Sequence, residues 1–326
     1  MSENDILIAD IGGTNARLAL AATDQKGLGR VRSYACIDFP SVDDLIAHYL
    51  HSNDVATPRV MCLAAAGPVV GNTIQLTNSP WSIDAGDVSA TFDGARVLLL
   101  NDFDAVAYSL PLLESSDCMQ VGGPAPAQLG NRDYTIAAVG PGTGLGTAAL
   151  RNVGQTRISV GGEAGLSGFA PVTAEQMEIV TVLRQRIERI TSEHLVSGRG
   201  LQNLYWALSR MNGSERPELG AEEIGEACIA GSDPIATSAM RVFFEVLGQY
   251  AGDVALIFGA IDGIYIAGGI AGRYREMLLN SAFRTTFEAK PPHDKLMKSI
   301  PTQLITHSQP GLLGAADYAR RNANTG

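Results

Sequence analysis

Two segments of the chain share one pattern, in which an apolar run meets a second apolar run across a glycine-rich turn. The first is ILIADIGGTNARLAL, residues 6–20, and the second is TIAAVGPGTGLGTAAL, residues 135–150. Short continuous apolar runs are typical of buried β-strands, and a glycine turn between two of them predicts a hairpin. One such hairpin in each half predicts two related domains that face each other across a cleft.

The other apolar segments alternate between strand-like and helix-like patterns, which predicts an α/β protein with mixed sheets. A strand over Val97–Leu100 changes to helical spacing at Asn101-Asp102. A helix is predicted over 175–190 from Met177, Val180, Leu183, Ile187 and Ile190. Further helices are predicted for LQNLYWALSR, SAMRVFFEVLGQYAGDVALIFG and GLLGAADYARR, and a strand for GIYIAGGI.

Composition excludes several classes of partner. The net charge is −10 and no block of lysine or arginine stands out, so neither nucleic acid nor an anionic membrane surface is an expected partner. No signal peptide, membrane-spanning run or metal-type cysteine spacing is present, and the four cysteines are interpreted as reduced, buried thiols. These features predict a soluble, cytoplasmic protein in which backbone amides or a metal must neutralise any anionic substrate.

Three glycine stretches follow apolar strands: Gly12-Gly13, the run Gly140–Gly146, and Gly268-Gly269. Glycine allows several backbone N–H groups to converge on one ligand, and the hydroxyls of Thr14 and Thr143 add donors. Neither the lysine-containing phosphate loop nor the dinucleotide-binding motif is present. A single glycine turn would indicate only a turn, but three together predict a polyphosphate site.

Asp10 lies at the end of the first strand, beside the glycines. An unpaired buried carboxylate is costly, so this position predicts a cation. Mg²⁺ bound to phosphates fits, because it takes few protein carboxylates and keeps phosphate and water ligands. A helix-capping role is not expected, since a strand follows.

Asn101 and Asp102 lie at the carboxyl end of a strand, where open α/β sheets bind ligands. A helix cap needs only one of the pair, which leaves a carboxylate that can act as a general base in phosphoryl transfer. Asp104 is interpreted as a solvated acid of the first helical turn. Glu163 and Glu193 are candidates for binding sugar hydroxyls, although Glu193 also suits an ordinary acid at a helix start.

Seven motifs, in order from Ile6 to Ala319, resemble the bacterial glucokinase family of the hexokinase/actin/Hsp70 superfamily. They are DIGGTNARLAL, LLLNDFDAVA, GPGTGLG, GGEAG with F-AP, the SE--VSG-GL-NLY frame, IAGGI and PGLLGAA. The resemblance implies a two-lobed actin/hexokinase-like (ribonuclease H-like) fold with mixed sheets and a central cleft. It implies a small domain over 1–111 and 302–326 and a large domain over 112–301.

The resemblance also implies an ATP-dependent hexose kinase of glycolysis that converts glucose to glucose 6-phosphate. The implied hexose ligands are Asn101, Asp102, Glu163 and Glu193, with Asp102 as base toward the 6-hydroxyl. Mg²⁺ is expected at Asp10, and adenine near Gly268 and Gly269. The implied phosphate-binding residues are Ala9, Asp10, Ile11, Gly12, Gly13, Thr14, Gly142, Thr143 and Gly144.

The chain departs from the family pattern E-G-G-H-x-D-F, because Leu166 replaces the sugar-contacting histidine and Gly168 the aspartate. A kinase for a different hexose or an amino sugar is therefore an alternative. A non-catalytic sugar sensor is another, although five residues before Ile6 leave no room for a DNA-binding segment. A chaperone-like ATPase would need a substrate-binding extension. The preferred hexose, the kinetic constants, a donor other than ATP, and whether the chain forms a homodimer stay open.

Overall fold

The computed structural model describes residues 5–22, 27–77, 79–214 and 217–323. The strands are β1 (Asp5–Ile11), β2 (Asn15–Ala22), β3 (Gly29–Ala35), β4 (Val60–Ala65), β5 (Val69–Val70), β6 (Thr73–Gln75), β7 (Ser82–Asp84), β8 (Arg96–Asn101), β9 (Cys118–Gly122), β10 (Tyr134–Pro141), β11 (Leu145–Val153), β12 (Thr156–Gly161), β13 (Gly263–Ile266) and β14 (Thr302–Ile305). The helices are α1 (Val42–Ser52), α2 (Ala85–Thr91), α3 (Asp102–Ser109), α4 (Ala174–Leu183), α5 (Gly198–Met211), α6 (Ala221–Ile229), α7 (Pro234–Phe258), α8 (Gly269–Arg273), α9 (Arg275–Leu279), α10 (Phe283–Glu288), α11 (Asp294–Ser299) and α12 (Pro310–Asn322).

The chain divides into two compact units. The first contains Met1–Glu114, Thr156–Gly161 and His307–Gly326, and the second contains Ser115–Gln155 and Gly162–Thr306. The strand β12 therefore belongs to the first unit, although the chain on either side of it belongs to the second.

The first unit is built on a sheet of order β3-β2-β1-β4-β8. The hairpin β1/β2 is antiparallel, whereas β1, β4 and β8 run parallel, with Ile11 opposite Ala65 and Ala65 opposite Asn101. Helix α12 packs closely on α3, because a Cβ on Gly314 would lie 1.7 Å from the carbonyl oxygen of Ala105. Because β1, β4 and β8 are parallel and in register, their carboxyl ends lie at one edge of the sheet.

The second unit repeats this arrangement. Its hairpin β10/β11 is antiparallel, β10 runs parallel to β13, and β13 runs parallel to β14, with β9 antiparallel at the edge. The long helix α7 packs against this sheet and buries most of its side chains in the larger hydrophobic core. Both predicted hairpins are confirmed, as is the α/β class with mixed sheets.

The helix predicted over 175–190 is wrong in its second half, since α4 ends at Leu183. Beyond it, Gln185 N and Arg186 N donate to the carbonyls three residues earlier, which tightens the chain into turns. The predicted stripe is wrong for Met177, which is 54% exposed, and confirmed for Leu183, which is fully buried. Gln176 and Ile179 share the buried face with Leu183.

All four cysteines are free thiols, as predicted. Cys36 and Cys62 are buried, but Cys118 and Cys228 are only partly buried, so the expected burial is wrong for that pair. Among the described residues, no helix has both the length and the apolar character needed to cross a bilayer.

Candidate active site

The turn of the first hairpin is held by the backbone on both sides. Gly12 N donates to Asn15 O at 2.9 Å, and Cys36 N donates to Thr14 O at 2.8 Å. Thr14 is exposed, and Gly12 and Gly13 are partly exposed, so the turn can present N–H groups to a ligand. The side chains of Ala9 and Ile11 are fully buried, which restricts both residues to backbone or packing roles.

Asp10 is not the unpaired acid that the sequence suggested. It lies opposite Arg17 in the hairpin, and Arg17 Nη1 lies 3.7 Å from Asp10 Oδ2. The same carboxylate faces the first turn of α12, where a Cβ on Gly311 would lie 2.9 Å from Oδ2. Burial raises the pKa of Asp10, and the Arg17 guanidinium opposes that shift.

The surroundings of Asp10 fit a magnesium ion that is held mainly by phosphates. The described residues contain no group of three or more His, Cys, Asp or Glu side chains that could hold a metal without other ligands. The Asp10 side chain is 22% exposed. Because Mg²⁺ needs only one or two protein carboxylates when phosphates supply other ligands, one accessible carboxylate is sufficient.

Asn101 is the N-cap of α3. Its Oδ1 accepts from Phe103 N at 2.9 Å and Asp104 N at 3.3 Å, and its Nδ2 donates to Gly67 O at 3.0 Å. The amide therefore joins the end of β8 to the start of the helix and to the chain after β4. Of Asn101 and Asp102, it is therefore Asn101 that caps the helix. One N–H of the Asn101 amide group remains for a ligand.

Asp102 is the first residue of α3 and is half-buried. Its Oδ1 accepts from Phe103 N at 2.9 Å, a donor that it shares with Asn101. The register aligns Ile11 with Ala65 and Ala65 with Asn101, so the turn after β1 and Asp102 lie at the same sheet edge. Two strand spacings separate them, about 10 Å.

Asp104 differs from its predicted environment. It is half-buried rather than solvated, and its Oδ1 is buried with no hydrogen-bond partner in the described part of the chain. Burial raises its pKa, and a hydrogen bond with the Ser159 side chain opposes the shift. The first-turn position misled the sequence interpretation because β12, which is distant in sequence, covers this face of α3.

In the second unit, the glycine run forms the tip of the β10/β11 hairpin. Gly142 N donates to Gly144 O at 2.8 Å, and Gly198 N, at the start of α5, donates to Gly142 O at 2.8 Å. Gly268 has φ +87°, and a Cβ there would lie 2.4 Å from Pro141 O. Two of the three predicted glycine loops are therefore in direct contact, and Thr143 is exposed at their tip.

Glu193 is attached to this hairpin. Its Oε2 accepts from Leu145 N at 2.8 Å and would lie 2.7 Å from a Cβ on Gly144. Glu193 lies in the first turn of the short 3₁₀ helix Ser192–His194, so its position matches the alternative of an acid at a helix start, but its side chain also bonds to the hairpin. A candidate sugar ligand and a candidate phosphate loop are thus joined by one hydrogen bond.

Glu163 precedes the 3₁₀ turn Ala164–Leu166 and is exposed. This turn packs on the same hairpin, because a Cβ on Gly165 would lie 2.4 Å from Leu145 O. Ser192 N donates to Ser167 O at 3.1 Å, which joins the chain after Glu163 to the turn that carries Glu193. Leu166 N donates to Glu163 O at 3.0 Å, and the Leu166 residue is 44% exposed.

Sequence reasoning missed Arg17, Gly311 and the start of α5 as parts of these sites. Arg17 could have been found, because a two-residue turn at Gly13-Thr14 places residues 10 and 17 opposite each other. The contact of Gly198 with the glycine hairpin and the contact of Gly311 with Asp10 join residues far apart in sequence. Neither contact is indicated by a pattern of neighbouring residues in the sequence.

Two units, each with a glycine-tipped hairpin followed by a parallel strand, define an α/β kinase of the two-domain sugar-kinase class. A crystal structure of a glucokinase from an Antarctic psychrotroph aligns with a TM-score of 0.86 at 32% identity, covering 98% of this chain and 99% of that one. A ROK family glucokinase from Streptomyces griseus, solved with glucose and AMPPNP, has a TM-score of 0.67 at 20% identity over 98% and 100% of the chains, and so shares the fold.

The family model described as Glucokinase matches residues 7–322. A glucokinase of Colwellia psychrerythraea is 40% identical over 96% of this chain and 95% of its own length. The chain belongs to the glucokinase family.

Proposed function

We propose that this protein transfers the γ-phosphoryl group of ATP to the 6-hydroxyl of glucose, with Asp102 as the general base. As a member of the glucokinase family, the chain is an ATP-dependent glucose kinase; the residue roles are the further step. One observation carries them. The phosphate-type turn after β1 and Asp102 both follow the carboxyl ends of parallel strands at the same edge of one sheet, and Asn101 supplies the helix cap.

In this proposal Asn101, Asp102, Glu163 and Glu193 bind the hexose. Asp102 accepts the proton of the 6-hydroxyl as O6 forms a bond to the γ-phosphorus and the bond to the departing ADP oxygen breaks. Glu193 supports the role through its bond to Leu145 N, which fixes one carboxylate oxygen and leaves the other for hydroxyls. Positioning of this kind supplies much of the acceleration in phosphoryl transfer.

Backbone amides of the two hairpins bind the phosphates in this proposal. The donors are Gly12–Thr14 in the first unit and Gly142–Gly144 in the second, and adenine lies near Gly268 and Gly269. Backbone N–H groups neutralise phosphate charge without lysine, which agrees with the net charge of −10. Asp10 would hold Mg²⁺, directly or through water, and the ion would reduce the charge on the phosphate oxygens.

A kinase for another hexose or an amino sugar is the second candidate, and Leu166 is the observation that favours it. Its side chain is apolar and 44% exposed, and Leu166 is the last residue of the 3₁₀ turn that follows Glu163. An apolar side chain offers no hydrogen bond to a sugar hydroxyl, and one lost hydrogen bond reduces binding by roughly 1–3 kcal/mol.

The deciding experiment measures ADP release from Mg-ATP with glucose, mannose, fructose and glucosamine in parallel, with the phosphorylated position read by ³¹P NMR. We expect the highest kcat/KM with glucose and the product glucose 6-phosphate. A higher kcat/KM with another sugar would establish the second candidate. Hydrolysis of ATP without any sugar product would contradict both.

The remaining predictions concern organisation and location. We propose domain limits near 1–111 with 302–326 and 112–301, with β12 grouped with the first domain as in the division into compact units, and we propose a cytoplasmic location and a homodimer. Light scattering at micromolar concentration separates a dimer from a monomer, and cell fractionation tests the location.

A further inference from the structure

Asp104 contacts strand β12 through the part of its side chain that water does not reach. A Cβ on Gly161 would lie 2.5 Å from Asp104 Oδ1 and 2.9 Å from its Cγ, so a larger residue at this position would displace the carboxyl group. The Ser159 side chain forms a hydrogen bond with the same carboxyl group. The acid therefore touches β12 at two positions on one strand face, residues 159 and 161.

One helical turn later, Tyr108 contacts the same strand. Ser159 N donates to Tyr108 Oη at 3.4 Å, and Tyr108 Oη lies 3.4 Å from the carbonyl oxygen of Arg157. Residues four apart share a helix face, so Asp104 and Tyr108 together form the surface of α3 on which β12 lies. The helix that begins with Asp102 therefore contacts β12 through both of these side chains.

The contact with Gly161 lies between the candidate base and a candidate sugar ligand in the chain. Gly161 is the last residue of β12, and Glu163, a candidate sugar ligand, follows two residues later. Asp102, the candidate base, lies two residues before Asp104 on α3. A displacement of Gly161 therefore moves the start of the segment that carries Glu163.

We propose that Asp104 is a positioning residue for the hexose: by packing on Gly161, within the first unit, it fixes the residue from which the chain continues to Glu163. The inference rests on the proposed function, since it assumes that Glu163 and Asp102 act on the same sugar. It assigns Asp104 no contact with substrate, and it predicts that hexose binding depends on the fit between Asp104 and Gly161.

The test compares single and double variants by steady-state kinetics for both substrates. Asp104→Ala removes the packing, and we expect the KM for the hexose to rise about tenfold while the KM for ATP stays within about twofold. Asp104→Asn preserves the side-chain shape and the hydrogen bond to Ser159, so its hexose KM should stay close to the wild-type value. Gly161→Ala introduces the overlapping Cβ and should raise the hexose KM like Asp104→Ala.

The double variant Asp104→Ala/Gly161→Ala is the sharpest arm, because the new Cβ can occupy the space that the carboxyl group leaves. We expect its hexose KM to lie below that of either single variant, which is a coupling that two independent defects would not give. Gly162→Ala is the matched control, since a Cβ there meets open space. Melting temperatures of all variants separate a general loss of folding from the kinetic effect.

Additive single effects, or equal increases in the KM for both substrates, would overturn the inference. If Asp104→Ala does not fold, Gly161→Ala and Asp104→Asn carry the same test. An active wild type with unchanged hexose KM in the variants contradicts the inference alone. A wild type that phosphorylates no hexose contradicts the proposed function and the inference with it.

Discussion

The two glycine-tipped hairpins have the same strand topology but differ in charge. In the first, β1 ends in Asp10 opposite Arg17. In the second, the tip from Gly140 to Gly146 contains only glycine, proline, threonine and leucine. The nearby carboxylate belongs to Glu193, a residue outside the hairpin, which accepts a hydrogen bond from Leu145 N. This difference supports the proposal of a cation beside phosphate at the first hairpin and of phosphate bound by uncharged amides at the second.

The hairpins also differ in how they are held. The first turn is tied by bonds to Asn15 and Cys36, which belong to the neighbouring strand β2 and the chain after β3. The second is packed between Gly268 and the start of α5 at Gly198, and both contacts depend on close backbone approach. The repeated topology therefore has different surroundings at each tip, and these surroundings are the basis for proposing different ligands.

The largest expected effect comes from removing the charge of the first hairpin. Asp10→Asn should lower kcat by roughly 100-fold or more, because a neutral amide is a poor ligand for Mg²⁺. Turnover measured against magnesium concentration checks this, and we expect a higher magnesium requirement. Wild-type kcat and magnesium dependence would show that the two hairpins do not differ in cation binding.

The next largest effect is expected at Glu193, which bonds to the second hairpin from outside it. Glu193→Ala leaves Leu145 N without its charged acceptor, and we expect kcat/KM for the hexose to fall about 10- to 100-fold. Glu193→Gln keeps an acceptor oxygen and should lose less. Glu178→Ala, at an exposed glutamate on α4, is the control. Equal losses in the Ala and Gln variants would mean that the charge, not the bond to Leu145, is what matters.

A smaller effect is expected from the packing of the second tip. Gly268→Ala forces a side chain into φ +87° and against Pro141 O, which costs about 1–3 kcal/mol. We expect the KM for ATP to rise about tenfold while the hexose KM changes little. Gly272→Ala, where a Cβ meets open space, is the matched control. A selective rise in the hexose KM would place this contact outside nucleotide binding.

The smallest effect is on stability, and its sign depends on pH. Burial raises the pKa of Asp10, so this group stabilises the fold below its unfolded pKa, and that contribution is lost as pH rises through the folded pKa. Asn cannot lose a proton, so Asp10→Asn should gain melting temperature relative to wild type as pH increases from 3 to 7. A gain that shrinks over this range would contradict the assigned burial.

Local pattern was sufficient for the hairpins, the strand-to-helix change at Asn101 and the α/β class, because each depends on residues close in sequence. It failed where distant chain decides the environment. Asp104 was predicted to be a solvated helix acid, but β12 covers it. Asp10 was predicted to be unpaired, but Arg17 lies opposite it in the hairpin. The bond between Glu193 and Leu145 joins residues 48 apart, and no spacing rule predicts it.

The most direct test of the account is the kcat of Asp102→Asn with glucose and Mg-ATP, measured beside its glucose affinity and its melting temperature. Loss of the general base should lower kcat by about 10²- to 10⁴-fold while the variant stays folded and still binds glucose. Near-normal turnover in a folded Asp102→Asn variant would contradict the assignment of Asp102 as the base, and with it the account of how this sheet edge acts.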